Sequence, residues 1–169
     1  MGAMNAFDVT GSRGVGFGVL VIDILKGIAA VFFCSILWGN KIELLSAGGI
    51  AAVLGHNYPV WLKGKGGRGL STSAGVMFVL GWVFVVVWCS VWAVGYLVSK
   101  HLHLSNIVAS VMTPVILIML PEQWMRVTLP SYSGINAFLS LSVVISALVL
   151  LRHSDSMKEF WNLRTKQSS

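Results

Sequence analysis

Residues 70–99 read LSTSAGVMFVLGWVFVVVWCSVWAVGYLVS and contain no charged side chain. A charge-free apolar run of about 18 residues or more is long enough to cross a bilayer as a helix. The rest of the chain agrees, because 56% of its 169 residues are hydrophobic and only 11% are charged. The mean hydropathy of +0.80 excludes an ordinary soluble domain. We therefore expect an all-α integral membrane protein in which residues 1–169 form one membrane domain.

Four further apolar segments lie outside this run, at residues 15–38, 44–54, 104–120 and 135–151. The segment 44–54 is short for a complete crossing and is rich in Ala and Gly, which let membrane helices approach each other closely. Pro114 interrupts the third segment, and a membrane helix tolerates such a proline. These segments predict a polytopic transmembrane helix bundle of about five or six membrane segments, some of them short or re-entrant.

The basic residues set the expected orientation of the bundle. A glycine-rich loop at 55–69 and a basic tail at 152–169 are the segments richest in Lys and Arg, so the positive-inside rule places both in the cytoplasm. Three single crossings after the loop would put the tail on the opposite side. Either the run 70–99 consists of two short crossings or a later segment is re-entrant, and the sequence leaves both open. The net charge of +6 lies in the loops and the tail, which indicates anionic lipids or substrates rather than nucleic acid.

The loop itself reads GHNYPVWLKGKGGRG and sets Lys63, Lys65 and Arg68 among glycines. Glycine allows backbone turns that other residues avoid, and it lets the backbone approach a ligand closely. Successive backbone N–H groups in such a turn form a concave anion site. We interpret the loop as a phosphate site. The alternative is a cytoplasmic turn whose cations only fix the topology.

Asp23 and Lys26 lie three residues apart within an apolar segment and therefore share one helical face. A charge pair at membrane depth normally faces a protein interior or a watery cavity. The pair is either a structural ion pair or part of a site. No spacing predicts a metal site. The cysteines are interpreted as packing residues, the aromatic residues of 70–99 as interface or lipid-facing residues, and the two histidines after that run as solvated or headgroup-facing residues. They are Cys34, Cys89, Trp82, Trp88, Trp92, Tyr96, His101 and His103.

The loop resembles the glycine-rich central motif of the bacterial acyl-phosphate:glycerol-3-phosphate acyltransferases, Gly-His-x-x-Pro-Val-Phe-Leu followed by Phe-Lys-Gly-Gly-Lys-Gly. Arg68 stands for the family's second lysine. The matching positions are Gly55, His56, Pro59, Val60, Leu62, Lys65, Gly66, Gly67 and Gly69.

The resemblance covers nearly the whole chain. Residues 23–27 are similar to the family's Asp-x-x-Lys-Gly, and residues 2–5 to the end of its first motif, Ser-Gly-x-x-Gly-Ala-x-Asn. The segment that begins at Leu104 and Ser105 is similar to a serine-bearing segment of the family. Residues 151–153 resemble the opening of its third motif, Arg-His-x-x-Asn-Ile.

The resemblance implies a function in phospholipid synthesis. An acyl group passes from acyl-phosphate to the 1-hydroxyl of glycerol 3-phosphate, giving lysophosphatidic acid and inorganic phosphate, without a cofactor. The implied setting is the cell (inner) membrane, with the site facing the cytoplasm. The implied partners are both substrates and the bilayer, with an acyl-phosphate-producing enzyme as a further candidate.

Site residues follow from the resemblance position by position. Asp23 and Lys26 are implied to support the site. The implied catalytic residues are Lys65, Ser105 and His153. The implied phosphate- or substrate-binding residues are Asn5, Gly55, His56, Lys63, Gly66, Gly67, Arg68 and Gly69.

The chain also departs from the family. It lacks the first helix and the Ser-Gly-x-x that precede Gly2, Asp8 stands where many members have an arginine, and Ser156 replaces an asparagine. We expect a longer natural protein and poor activity of the chain as given; a short, weakly active or inactive paralogue is the alternative.

Rival functions remain open at this point. One is a small membrane transporter or a structural membrane subunit without catalysis. Another is a nucleotide-binding membrane protein, because residues 64–71 resemble a phosphate-binding loop, although Leu70 stands where that motif needs lysine.

Overall fold

The computed structural model describes the backbone of residues 2–131 and 134–167, and side chains as far as His153. Every regular element in this part of the chain is helical, which confirms the predicted all-α class. A short 3₁₀ turn, Val60–Leu62, lies between the third and fourth α-helices. The α-helices are α1 Ala3–Thr10, α2 Arg13–Trp38, α3 Ile42–Asn57, α4 Leu70–Gly81, α5 Val83–Ser99, α6 Leu102–Met119, α7 Glu122–Thr128 and α8 Ile135–Gln167.

Three of these helices are long and apolar enough to cross a membrane: α2, α6 and the Ile135–His153 part of α8. Helices α4 and α5 are apolar but shorter. The outer face of α2 is strongly exposed and apolar, with Phe32 and Phe33 each 61% exposed, as expected for side chains that contact lipid.

The run 70–99 is two helices that meet at Trp82. At about 1.5 Å per residue, α4 is about 18 Å long, which is too short to cross a hydrocarbon core of about 30 Å by itself. After α4 and α5 the chain is back at the end of the bundle where α4 began. Nη1 of Arg68, just before α4, lies 3.2 Å from Nδ1 of His103 at the start of α6. The run 70–99 is therefore broken into two helices that bring the chain back to one end of the bundle. That these helices are two short crossings stays a prediction.

The return of α5 also brings the loop and the end of the last span together. Arg152 of α8 makes hydrogen bonds to the loop, so both lie at one end of the bundle. We call this the loop end.

Helix α4 lies at the centre of the bundle. It packs most extensively on α2 and also contacts α3, α5 and α8, while α5 packs on α6, and α6 on α8. Two glycines let α2 and α4 approach backbone to backbone: a Cβ at Gly27 would overlap the carbonyl of Thr72, and one at Gly75 would overlap that of Ile24. This close contact fixes the start of α4, where the site lies.

The helix boundaries differ in places from the segments expected from the sequence. The first residues of the predicted 55–69 loop, as far as Asn57, form the last turn of α3. The predicted basic tail continues α8 as helical backbone to Gln167, because nothing in its sequence stops a helix. Two short helices, α1 and α7, lie outside the apolar segments that the sequence indicated. The side chain of Ser156 lies outside the described residues.

Candidate active site

A cavity of about 980 Å³ lies at the loop end of the bundle. Its polar wall comes from α1, the loop and the start of α4, with one residue each from α2, α3 and α8. Its apolar wall comes mainly from α5, α6 and α8. The polar wall is lined by Asn5, Asp8, Asp23, His56, Lys65, Gly66, Gly67, Arg68, Gly69, Ser71, Ser73 and Arg152. The apolar wall is lined by Phe84, Val85, Trp88, Cys89, Trp92, Leu102, Ile145 and Val149, with Asn106, Ser110 and Ser146 among them.

The loop lies with its N–H groups against the end of α3. The N–H of Gly66 donates to the carbonyl of Asn57 at 3.2 Å, and that of Gly67 to the carbonyl of His56 at 3.1 Å. A Cβ at Gly66 would overlap the His56 carbonyl, and one at Gly67 would overlap the His56 ring. These two glycines are therefore needed for contact with α3. Both N–H groups are already bonded within the fold, and a phosphate-binding role for these two glycines stays a prediction.

The start of α4 provides the anion site instead. Gly69, with φ of 78°, turns the chain into the helix, and none of the side chains that the structure describes caps the first turn. The first N–H groups of a helix have no intrahelical partner, and together with the helix dipole they bind anions. Ser71 and Ser73 line the cavity here. The Ser73 hydroxyl is buried and has no hydrogen-bond partner among the described residues.

Arg68 adds a full positive charge next to this helix start. Burial lowers the pKa of its guanidinium, while the carboxylate of Asp8 acts in the opposite direction. The guanidinium stays protonated, since the side chain does not lose its charge in proteins. It donates to Nδ1 of His103 at 3.2 Å, which anchors it beside α6. A phosphate that reaches the start of α4 would meet both the helix N–H groups and this guanidinium.

Asp23 and His56 form a buried pair on the cavity wall. The Asp23 carboxylate lies 3.5 Å from Nδ1 of His56 and 3.1 Å from the ammonium of Lys26. Asp23 and His56 side chains are 4% and 9% exposed, whereas Lys26 is 61% exposed. The pair links α2 to α3 and sets the His56 ring against Gly67.

Known proteins of one family resemble this chain over nearly its whole length. The family model described as glycerol-3-phosphate acyltransferase matches residues 1–163. The chain belongs to the glycerol-3-phosphate acyltransferase family. It is 35% identical over 158 residues to the glycerol-3-phosphate acyltransferase of Rhodopseudomonas palustris (strain HaA2), covering 94% of this chain and 72% of that protein. It is 31% identical over 162 residues to that of Pelagibacter ubique (strain HTCC1062), covering 96% and 75%.

Solved structures of PlsY (YgiH), an integral membrane glycerol 3-phosphate acyltransferase, share the fold. The glycerol 3-phosphate form of PlsY matches with a TM-score of 0.74 and 28% identity, over 96% of this chain and 75% of that one. The lysophosphatidic acid form of PlsY matches with a TM-score of 0.75 and 27% identity, over 96% of this chain and 76% of that one.

The cavity brings together most of the residues that the sequence indicated. Lys65 and Arg68 come from the loop, and Asp23 comes from α2. The predicted binding residues on the wall are Asn5, His56, Gly66, Gly67, Arg68 and Gly69.

Five predicted residues do not line the acyltransferase cavity. Gly55 lies on an exposed helical position of α3, and Lys63 forms an exposed turn with φ of 51°. Lys26 reaches the site only through Asp23.

Ser105 and His153, both predicted to be catalytic, are buried behind the wall. The hydroxyl of Ser105 donates to the carbonyl of His101 at 2.8 Å, and Nδ1 of His153 lies 2.9 Å from the carbonyl of Val149. The structure therefore does not support direct contact with substrate by either side chain.

Several wall residues of this acyltransferase were missed or misread. Trp88 and Trp92 were interpreted as interface residues, but both line the cavity, and the indole N–H of Trp88 donates to the Ser110 hydroxyl at 3.2 Å. Residues 84, 88 and 92 on α5 are four apart, as are residues 102, 106 and 110 on α6. Residues four apart lie on one face of a helix, so this spacing could have indicated the helix faces that line the cavity. Arg152 has no such spacing, but it matches the arginine that opens the family's third motif, and that match could have indicated it.

Proposed function

We propose that this protein transfers an acyl group from acyl-phosphate to the 1-hydroxyl of glycerol 3-phosphate, producing lysophosphatidic acid and inorganic phosphate. The observation that carries the proposal is the cavity, in which Arg68 and the start of α4 face an apolar wall on α5. Both substrates carry phosphate, and one also carries a long alkyl chain. A site for this pair needs an anion pocket beside an apolar surface.

The polar wall binds the phosphate groups. Arg68 offers a planar fork of donors that matches phosphate oxygens, and Lys65 adds a second cation on the wall. The first-turn N–H groups of α4 and the Ser71 hydroxyl complete the set of donors.

The apolar wall holds the alkyl chain along α5. Phe84, Val85, Trp88 and Trp92 lie on one face of that helix and line the cavity. This placement sets the acyl carbonyl near the polar wall, where the cations stabilise the developing oxyanion.

The chemical step uses an acyl group that is already activated. The 1-oxygen of glycerol 3-phosphate forms a bond to the acyl carbon, and the bond from that carbon to the phosphate oxygen breaks. The hydroxyl proton passes to a phosphate oxygen of the substrates. Holding the two reactants side by side supplies much of the acceleration.

The protein is an integral membrane protein, and we propose that it lies in the cell inner membrane with the cavity open to the cytoplasm. The positive-inside rule supports this orientation, since Lys63, Lys65, Arg68 and Arg152 all lie at the loop end. An acyl-phosphate-producing enzyme would supply the donor at the same membrane face.

The test is an assay of the purified protein in lipid nanodiscs with labelled glycerol 3-phosphate. The donor is palmitoyl phosphate in one arm and palmitoyl-CoA in the other. We expect lysophosphatidic acid with palmitoyl phosphate only, and strong loss of product in Arg68→Ala. Product from palmitoyl-CoA alone would overturn the donor assignment. No product from either donor, with protein that is folded and inserted, would overturn the proposed function and favour a transporter or structural subunit.

A further inference from the structure

The carbonyl groups of the glycine loop face away from α3. A trans peptide points its C=O opposite to its N–H, and the N–H of Gly67 points to α3, so the carbonyl of Gly66 points to the other side. The carbonyl oxygens of Gly64 and Gly67 converge with it on one guanidinium. Three carbonyl oxygens in this position would place negative dipole ends beside the anion site and oppose phosphate binding.

Arg152 of α8 binds all three oxygens. Its Nε–H donates to the carbonyl of Gly67 at 3.2 Å, and its Nη2 donates to those of Gly64 at 3.2 Å and Gly66 at 3.3 Å. Arginine has five N–H donors in a rigid planar fork, so one side chain can satisfy several oxygens that lysine, a point charge on a flexible stem, cannot match at once.

The guanidinium of Arg152 also packs over the ring of Tyr58. The guanidinium carbon of Arg152 lies 5.2 Å from the centre of the Tyr58 ring, within the range of a cation–π contact. Tyr58 itself follows α3 directly and precedes the 3₁₀ turn. The loop is therefore held from both sides, by α3 through its N–H groups and by α8 through its carbonyl groups.

We propose that Arg152 is a positioning residue: it fixes the glycine loop, which carries Lys65 and Arg68, and it compensates the negative ends of the loop carbonyls, with the Tyr58 ring packed against its guanidinium. This inference rests on the proposed function only in naming phosphate as the ligand. Its Nε and one terminal nitrogen are directed at the backbone of the loop. Arg152 thus links the loop to α8 across 85 to 88 residues of sequence.

The first test measures the loop without any substrate. Trypsin cleaves after Lys63 and Lys65, both of which lie in the loop, and the loop peptides are quantified by mass spectrometry. We expect Arg152→Ala to accelerate cleavage at these two sites about tenfold or more, since loss of charge-assisted hydrogen bonds releases the loop. Tyr58→Leu should give a smaller acceleration. Arg126→Ala is the matched control, because Arg126 pairs with Glu122 on α7 at an exposed position.

The second test separates KM from kcat in the variants. Arg152→Ala should raise the KM for glycerol 3-phosphate about ten- to a hundredfold with a smaller change in kcat. Arg152→Lys, which is less liable to misfold, should restore the charge but recover only part of the KM. Unchanged cleavage in Arg152→Ala would overturn the positioning role. Faster cleavage with an unchanged KM would overturn the link to phosphate binding. The cleavage result stands even if the wild-type protein shows no acyltransferase activity, so the two proposals can fail separately.

Discussion

The polar and apolar walls of the cavity are built by different means. The polar wall gathers short pieces from α1, the loop, the start of α4 and one arginine of α8, held by hydrogen bonds between distant parts of the chain. The apolar wall is one face of α5 beside one face of α6, held by regular helix packing. Polar contacts demand exact directions and close approach, whereas apolar contacts depend mainly on shape. We therefore expect the polar wall to be intolerant of small changes and the apolar wall to be adjustable.

The largest expected effect comes from one methyl group on the polar wall. In Gly67→Ala the new Cβ would overlap the His56 ring, so the loop must shift away from α3. A displacement of about 1 Å can cost about a hundredfold in rate, and we expect at least that loss in kcat/KM with normal membrane insertion. Gly55→Ala is the control, because nothing lies within 4 Å of its Cβ. Equal losses in both variants would show that the contact with α3 is not the cause.

The next effect concerns charge on the polar wall. Arg68→Ala should raise the KM for glycerol 3-phosphate about ten- to a hundredfold, the cost of one charge-assisted hydrogen bond. Lys65→Ala should act in the same direction. Lys63→Ala provides the comparison, since Lys63 lies outside the cavity, and we expect an unchanged KM. A normal KM in Arg68→Ala would remove the main support for the anion site.

A smaller and different effect is expected on the apolar wall. Trp88 lines the cavity and is fixed by its bond to Ser110, so Trp88→Ala should enlarge the space for the alkyl chain. We expect a change of about tenfold in the relative kcat/KM for longer over shorter acyl-phosphates, which is the lower end of the about 1–3 kcal/mol that one methylene contributes to discrimination. The KM for glycerol 3-phosphate should stay the same. An equal loss for all chain lengths would contradict the division between the two walls.

The smallest expected effect is a lower KM for glycerol 3-phosphate. Asp8 lines the cavity and carries a charge of the same sign as the substrates. Asp8→Asn should lower the KM for glycerol 3-phosphate about two- to fivefold, the scale of an exposed charge interaction. Added salt should reduce the difference, because salt screens exposed charges. A raised KM would show that Asp8 binds substrate instead of opposing it.

The two walls also differ in how far the sequence predicts them. Hydropathy predicted the all-α membrane class, and the family motif indicated Lys65 to Gly69, because both signals are local. The fourfold spacing on α5 and α6 was present in the sequence, although Trp88 and Trp92 were interpreted as interface residues. The break at Trp82 was left open, since Gly81 is its only local signal.

The contacts that complete the polar wall could not be predicted from one sequence. The bond of Arg152 to Gly64 joins residues 88 apart, and the pairing of Asp23 with His56 joins two helices. The family segments also indicated Ser105 and His153, but they do not show which way a side chain points. Both side chains are buried and do not line the cavity. A motif predicts which residues lie near the site, whereas the packing of the helices determines which of their side chains line the cavity.

Photo-crosslinking with a substrate analogue tests the central claim most directly. The probe is a non-hydrolysable acyl phosphonate with a diazirine on its alkyl chain, bound to the protein in nanodiscs and mapped by mass spectrometry. We predict labelling within α5, at Val85, Trp88 or Trp92, that excess unlabelled acyl phosphonate abolishes and that Arg68→Ala strongly reduces. Labelling confined to the exposed outer face of α2, at Phe32 and Phe33, and unaffected by competitor would contradict a cavity that binds phosphate at one wall and the alkyl chain at the other.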